Sequence, residues 1–420
     1  MLKKNKRTDS EAERRQICSP LLRQKKVLLY FYGFGNKVFG GAEYLPLLLI
    51  QYLLQRGCDI TLAIQNVSYL EYASKQYGIE IAPKTIRIVK LKRITNRFLL
   101  KFSFIPLLDQ TRQLKRLARD ADICISAANM NYFGKPAHHI VYGLRSMNDQ
   151  AFYDLITHAP PLTGLALVLR KCRTFLAETI LRPALGLRST RRILSDPREK
   201  IYVPSHYVAD TLRAFYGPFN YTVFYPPTMF RITTDHPVGR YPMRVIYLGR
   251  IEQHKRIEDM IGIVEDVRNQ SGFDLTFHIA GPESDRDYAE SLQRIARENP
   301  WICISDAVYG AEKEQFLLSG TYALHAERDE AFGISITEYL KAGVIPIVPD
   351  EGGTPEIVDN PALTYHTDDD AAHILIRLLT DEAFRQEQLD RCRERAKIFS
   401  FERYMETQHK FLDKILEETT

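Results

Sequence analysis

The sequence is short of the features that mark out a specialised class of protein. Its six cysteines, at positions 18, 58, 124, 172, 303 and 392, lie far apart and include no C-x-x-C pair. That spacing suits neither a disulfide framework nor a zinc site, and reads as a reduced cytosolic chain. Long apolar runs are missing too: Tyr44–Leu54, the main one near the N-terminus, is too short to span a bilayer. No sign of charge dominates, since a formal +5 over 420 residues is too weak to argue for nucleic acid by itself. Residues 1–25 are rich in Lys and Arg but have no apolar segment and cleavage site behind them. They are expected to be a disordered basic tail and not a signal peptide. A soluble or membrane-peripheral protein is therefore expected, with no tandem repeat or low-complexity tract beyond the tail.

What is present is alternation. An apolar share of 45% with 26% charged residues is ordinary globular composition. The length allows two to three domains at about 150 residues each. Val27–Tyr32 reads as a buried parallel strand. Glycines at 33, 35, 40 and 41 follow, then a helical pattern over Ala42–Arg56 closed by Gly57, and a strand at Asp59–Ala63. Further strands are expected at Ile86–Val89, Ile123–Ser126, His139–Tyr142 and Lys200–Pro204, with Ser205 as the N-cap of the next helix. Tyr225-Pro226-Pro227 can continue neither a helix nor a central strand and marks a hinge. The pattern restarts at Arg244 and predicts strands at Val245–Leu248, Leu275–Ala280, Trp301–Ser305, Tyr322–His325 and Ile345–Val348. Helices are expected between them at Ile257–Val267, Tyr288–Glu298, Glu312–Ser319 and Ser335–Ala342. The fold class is α/β, with two Rossmann-like domains facing across a cleft, where such folds bind ligands. The boundaries fall at 26–226 and 227–398.

Three constellations carry chemistry. The first is Glu330-Ala-Phe-Gly-Ile-Ser-Ile-Thr-Glu338, two carboxylates eight positions apart around a glycine turn. Gly333 lets backbone approach a ligand, and Ile334 and Ser335 open a helix whose free N–H groups suit a diphosphate. Glu338 is placed to accept from a ribose diol, and Glu330 to contact a transferring sugar. A plain surface loop with ordinary helix-start acids stays open on spacing alone. The second is Gly249-Arg250-x4-Lys255-Arg256, directly after a strand, where a guanidinium fork and an ammonium suit a diphosphate leaving group. A solvated basic loop is the plain alternative, and the downstream carboxylates weigh against it. The third is the loop Gly33–Glu43 with Gly40 and Gly41. It lacks the dinucleotide fingerprint, so no NAD site is supported, and it serves either close approach to substrate or a tight turn.

Residues His325–Val358 carry a family resemblance in their E-x7-E pair, Gly343, Gly352-Gly353 and Glu356-Ile357. The run resembles the retaining family-4 glycosyltransferases of GT-B fold. Gly40-Gly41-Ala-Glu43 looks like that family's N-terminal glycine loop. Val203-Pro-Ser205 and Tyr225-Pro226-Pro227 look like its interdomain approach, and Gly249-Arg250…Lys255 like its phosphate clamp. Phe399–Tyr404 is similar to the start of its C-terminal helix, here 399–420, which crosses back to the N-terminal domain. His325 and Phe332-Gly333-Ile334 look most like mannosyltransferases that extend lipid-linked oligosaccharides.

The resemblance implies that Arg250 and Lys255 hold the diphosphate, with Gly249 at the clamp and Gly40 and Gly41 on the facing loop. Glu330 would contact the donor hexose, Glu338 the ribose, and Gly333 and Ile334 the phosphates through backbone N–H groups. It implies a GDP- or UDP-linked sugar as substrate, with no cofactor and no metal, the cationic clamp supplying charge stabilisation. A departure concerns the acceptor side. Where the family commonly has a histidine facing the sugar, this chain has Tyr142 or Gly143, with Arg145 close by. Tyr142 and Arg145 are the acceptor-side candidates, and His138 and His139 are expected to be structural.

Basic and apolar residues interleave over Lys84–Arg119 and Leu162–Arg192. The pattern fits a surface lying on anionic lipid at a cytoplasmic membrane face, with a lipid-linked or glycan acceptor. Solvated helices fit it as well, and no nucleic-acid recognition motif accompanies it. A hexosyltransferase and a catalytically silent relative that binds a nucleotide sugar or a partner are the two functional readings. The intact carboxylate pair and clamp favour the first, and the missing histidine favours the second.

Overall fold

A computed structural model describes residues 24–34, 41–76, 78–79, 81, 85–92, 104–144, 152, 176, 180–228, 230, 232 and 239–418. The expected basic tail, apart from residues 24 and 25, lies outside them, as do Gly40, Arg145 and part of each basic segment.

The first sheet has seven parallel strands in the order β3-β2-β1-β4-β5-β6-β7. These are β1 (Lys26–Gly33), β2 (Asp59–Asn66), β3 (Arg87–Lys90), β4 (Ile123–Ser126), β5 (His138–Ile140), β6 (Lys200–Val203) and β7 (Thr222–Val223). Val27 to Phe31 are buried without a break, as a strand covered on both faces requires. Helix α1 (Gly41–Gln55) links β1 to β2, α2 (Leu70–Gln76) follows β2, and α3 (Phe104–Ala118) precedes β4. Helix α4 (His206–Tyr216) opens at Ser205, whose hydroxyl accepts from Val208 N as the sequence predicts.

The second sheet is also parallel, in the order β10-β9-β8-β11-β12-β13. Its strands are β8 (Arg244–Leu248), β9 (Thr276–Ala280), β10 (Ile302–Ser305), β11 (Tyr322–Leu324), β12 (Ile345–Pro349) and β13 (Thr364–Tyr365). The intervening helices are α5 (Ile257–Ser271), α6 (Arg286–Glu298), α7 (Gly310–Ser319), α8 (Ile334–Ala342) and α9 (Thr354–Val358). Helices α10 (Asp368–Thr380) and α11 (Glu382–Ala396), absent from the sequence reading, complete the packing. Helix α10 carries a full capping box between Thr367 and Asp370.

Helix α12 (Phe401–Glu417) crosses to the first sheet. Tyr404, Leu412 and Ile415 bury in the N-terminal core beside Tyr52 and Phe224. Each such side chain contributes about 1.5–3 kcal/mol of burial. The Tyr52 hydroxyl donates to Asp413 Oδ1 at 2.6 Å, and Lys25 Nζ donates to the Leu416 carbonyl. Two parallel-sheet Rossmann-like domains, tied by a returning helix, are the architecture.

In both sheets the strand order reverses beside the first strand, between β1 and β4 and between β8 and β11. Open α/β sheets bind ligands in the crevice beyond such a reversal. In the second domain the segments after β8 and β11, with Lys255 and Glu330, lie at that position.

Candidate active site

Residues after β8 form the first wall. Strand β8 ends at Leu248, whose N–H donates to the buried Tyr339 hydroxyl at 2.6 Å. Gly249 then turns close over Gly281, where an added Cβ would stand 1.7 Å from the Gly249 carbonyl oxygen. Only two glycines allow these two strand ends to approach so closely. The chain continues through a 3-10 turn, Gln253–Lys255, to Arg256 in the left-handed region at φ +54°. A non-glycine residue held there is uncommon, and the turn aims Lys255 inward.

Residues after β11 form the second wall. His325 to Glu330 run along the mouth of the strand reversal, and Gly333 at φ +91° starts α8. Gly352 and Gly353 pack beneath this loop, and Gly353 N donates to the Glu330 carbonyl at 2.7 Å. An added Cβ at Gly353 would meet the Ala331 carbonyl at 2.5 Å. The glycine pair thus holds the carboxylate loop from below.

The walls meet in one charged cluster. Lys255 Nζ donates to Glu330 Oε2 at 2.6 Å and also to Glu327 Oε2. His254 Nε2 stands 3.6 Å from Glu327 Oε1, and His325 Nε2 stands 3.9 Å from Glu330 Oε2. The Glu327 and His325 side chains are only 5% and 3% exposed, and neither ring nitrogen of His325 has a hydrogen-bond partner. Burial pushes the His325 imidazole down to about 4, so it is neutral at pH 7. Burial and the charge of Glu330 push the Glu327 carboxyl up to about 8. Burial alone would raise Glu330 as well, but the Lys255 ammonium outweighs it and holds that group well below the usual carboxylate range. Burial works against the ammonium in turn, and the two glutamates more than offset it. His325, Glu327 and Glu330 also offer ligand atoms within 4.8 Å of one another, although Lys255 already supplies the positive charge between the two glutamates.

The sequence-predicted residues divide between this cluster and its rim. Arg250 lies at the rim, its side chain 56% exposed and bonded to Glu252 Oε1 at 2.6 Å. Glu338 is buried on α8 and receives Lys313 Nζ at 2.6 Å on Oε1. Gly333, Ile334 and Ser335 form the start of α8 beside Glu330, as expected. An open groove of about 580 Å³ extends from Glu252, Gln253 and His254 to Ser284–Asp287, beyond the ends of β8 and β9.

On the facing domain, Gly41 is the first residue of α1, and Glu43 in its first turn accepts from the Tyr32 hydroxyl at 3.1 Å. Tyr142 follows β5; its N–H donates to Asn129 Oδ1 at 3.1 Å, and its hydroxyl is buried without a partner. His138 bonds the Tyr202 hydroxyl at 3.0 Å and His139 bonds Glu199 at 3.0 Å, so both serve the sheet. The domains touch below the cleft. Ser205 Oγ donates to the Ala331 carbonyl at 2.6 Å, and Glu356 accepts from His206 N at 2.7 Å and from the Tyr225 hydroxyl at 2.9 Å.

Sequence reasoning missed Glu327, Lys313 and the bridging role of Glu356. An E-x-x-E spacing, Glu327 to Glu330, was visible and could have drawn attention to the first. Glu356 was marked only by the family resemblance, and nothing local marks Lys313.

Comparison with known proteins gives the same architecture a context. Residues 236–399 match the family described as Glycosyl transferases group 1. No curated protein sequence matches the chain. Among solved structures, HepE from Anabaena, in complex with UDP and glucose, is similar at TM-score 0.61 and 14% identity, over 93% of this chain and all of that one. WaaG, a glycosyltransferase involved in lipopolysaccharide biosynthesis, is similar at TM-score 0.59 and 13% identity, over 92% and 99%. The pneumococcal O-GlcNAc transferase GtfA, in complex with UDP and GlcNAc, is similar at TM-score 0.62 and 10% identity, over 94% and 100%. The chain has the GT-B fold of these glycosyltransferases, and its C-terminal domain, over residues 236–399, matches the group 1 family.

Proposed function

We propose that the protein is a glycosyltransferase that moves a hexose from a nucleoside diphosphate sugar to a glycan or lipid-linked acceptor, with retention at the anomeric carbon. One observation carries the reading: a part-buried Lys255–Glu330 pair at 2.6 Å stands beside the glycine-opened start of α8, at the strand reversal of the second sheet. That arrangement suits the sugar–diphosphate junction of a donor. Lys255 and Arg250 face the diphosphate, the N–H groups of Ile334 and Ser335 assist them, and Glu330 orients sugar hydroxyls. Glu338 takes the ribose, and its contact with the Lys313 ammonium holds it in place. The groove beside His254 and Asp285 has room for the base.

In the reaction the bond from the anomeric carbon to the diphosphate oxygen breaks, and a bond to the acceptor hydroxyl oxygen forms on the same face. The departing diphosphate takes the acceptor proton. Lys255 and Arg250 stabilise the charge that collects on the leaving group, so no metal is required. His325 and the Phe332-Gly333-Ile334 sequence favour mannose by their resemblance to mannosyltransferases. HepE and GtfA were solved with UDP, which brings uridine donors into the same test. Tyr142 and Arg145 are the candidates to meet the acceptor, Arg145 lying outside the described residues. The basic and apolar segments of the N-terminal half fit a peripheral position on the cytoplasmic face of a membrane, and no helix among the described residues is long and apolar enough to cross one.

The test is nucleotide release by purified protein across GDP- and UDP-sugars with a lipid-extract acceptor, beside Glu330→Ala and Arg250→Ala. Release from one donor, lost in both variants, is the expected result. Sugar-nucleotide binding without release from any donor would favour a silent binder, the reading to which the absent acceptor-side histidine points.

A further inference from the structure

Glu327 is the one charged member of the buried cluster that the mechanism above does not use. It reaches Lys255 from the loop after β11, three residues before Glu330. An ammonium has three hydrogens, and Glu327 and Glu330 take two of them. A donor diphosphate needs that same ammonium.

We propose, resting on the donor site just described, that Glu327 is a positioning residue that competes with the donor diphosphate for Lys255. Ionised, it holds the ammonium tightly and adds a buried negative charge beside the incoming phosphates. Protonated, it is a weaker acceptor of the Lys255 hydrogen, adds no charge, and leaves the cluster with one cation against one anion. The protonation state of Glu327 therefore sets how much of the Lys255 charge reaches the donor.

The groups around Glu327 make the effect separable. Glu330 and Lys255 bond the same centre, His254 approaches from the 3-10 turn with Glu252 behind it at 3.3 Å, and His325 lies behind Glu330. Tyr207 from α4 and Tyr247 from β8 also feel its charge, and burial holds both hydroxyls above their ordinary range. Lys255 is held above its ordinary range, and Glu330 and His325 titrate well below pH 7. Glu327, pushed up to about 8, is left to titrate between pH 7 and 9.

The experiment is calorimetric binding of UDP and of GDP to the full chain at pH 7 and pH 9, for wild type and Glu327→Gln. Comparing the two proteins cancels the titration of the nucleotide and of the groups that both proteins share. If the bound state keeps Glu327 protonated, wild-type Kd rises on the order of tenfold more than that of Glu327→Gln across this range, by proton linkage. Glu327→Ser, with the same expectation, stands in if the glutamine variant fails to fold. An equal pH response in wild type and variant overturns the inference while leaving the donor site intact. Loss of binding in Glu327→Gln at both pH values also overturns it, because Glu327 would then contact the nucleotide itself. No nucleotide bound by either folded protein overturns the donor-site reading and this inference with it.

Discussion

The two walls of the cleft are built on different principles. The C-terminal wall is a set of part-buried charged contacts, Lys255 with Glu327 and Glu330 and Lys313 with Glu338, fixed on strand ends and a helix start. The described part of the N-terminal wall is hydroxyl-rich: Tyr32 on Glu43, and Tyr142 with a buried, unpartnered oxygen. Charges with little access to water must be paired to be tolerated, and the C-terminal wall pairs each of them within its own domain. A buried hydroxyl costs less and can wait for a partner. The difference fits a donor side prepared electrostatically for a diphosphate and an acceptor side shaped for a neutral sugar hydroxyl.

The sharpest way to break this contrast is Lys255→Ala. Removing the one cation between two glutamates should lower turnover by about 10²–10³-fold, the usual effect of losing a charge-stabilising donor, read as initial rate at saturating acceptor. A smaller loss than for Arg250→Ala would place the leaving-group charge on the rim and not in the cluster.

A pH effect comes next. His325 is held neutral by burial, with its pKa moved from 6.5 down to about 4. A group whose folded pKa is depressed in this way binds its proton more readily in the unfolded chain. Stability is therefore complete above pH 6.5 and falls as pH drops towards 4, by about 3 kcal/mol from this residue. Chemical denaturation at pH 7 and pH 4.5 should show a smaller acid loss in His325→Phe than in wild type. Equal losses would mean that the ring gains a partner in solution.

Tyr142→Phe sharpens the other wall. Deleting a buried hydroxyl without a partner should raise stability by about 1 kcal/mol, measured as a rise in Tm. A raised acceptor KM with an unchanged donor KM would assign that hydroxyl to the acceptor. A fall in Tm would show that the oxygen is already satisfied.

The smallest effect is expected at α12. Asp413→Ala removes half-exposed contacts to Arg56 and Tyr52 and should cost under about 1 kcal/mol. A larger loss would show that the returning helix depends on its ion pair more than on Leu412 and Ile415 in the core.

Much of the fold was legible. Ile123–Ser126 and the Ser205 cap stand where periodicity placed them, because buried parallel strands are short apolar runs and caps need a side-chain oxygen. Strands β7 and β13 were not read, since two residues carry no periodicity. Helices α2, α3, α10 and α11 were passed over as well. In α11 only Phe384, Gln388 and Cys392 are buried, and so thin a stripe is a weak signal. The clamp and the E-x7-E pair were found as motifs, but their pairings were not.

By itself the sequence determined two α/β domains and the glycines that let strand ends meet, because these depend on local backbone chemistry. Only the tertiary structure decided that Lys255 answers to Glu327 and Glu330, which lie 72 and 75 positions away, and that Glu338 belongs to Lys313. Those choices are made by the parallel order of β8 and β11. Strand order brings distant loops to one edge, and burial there compels each charge to find a partner.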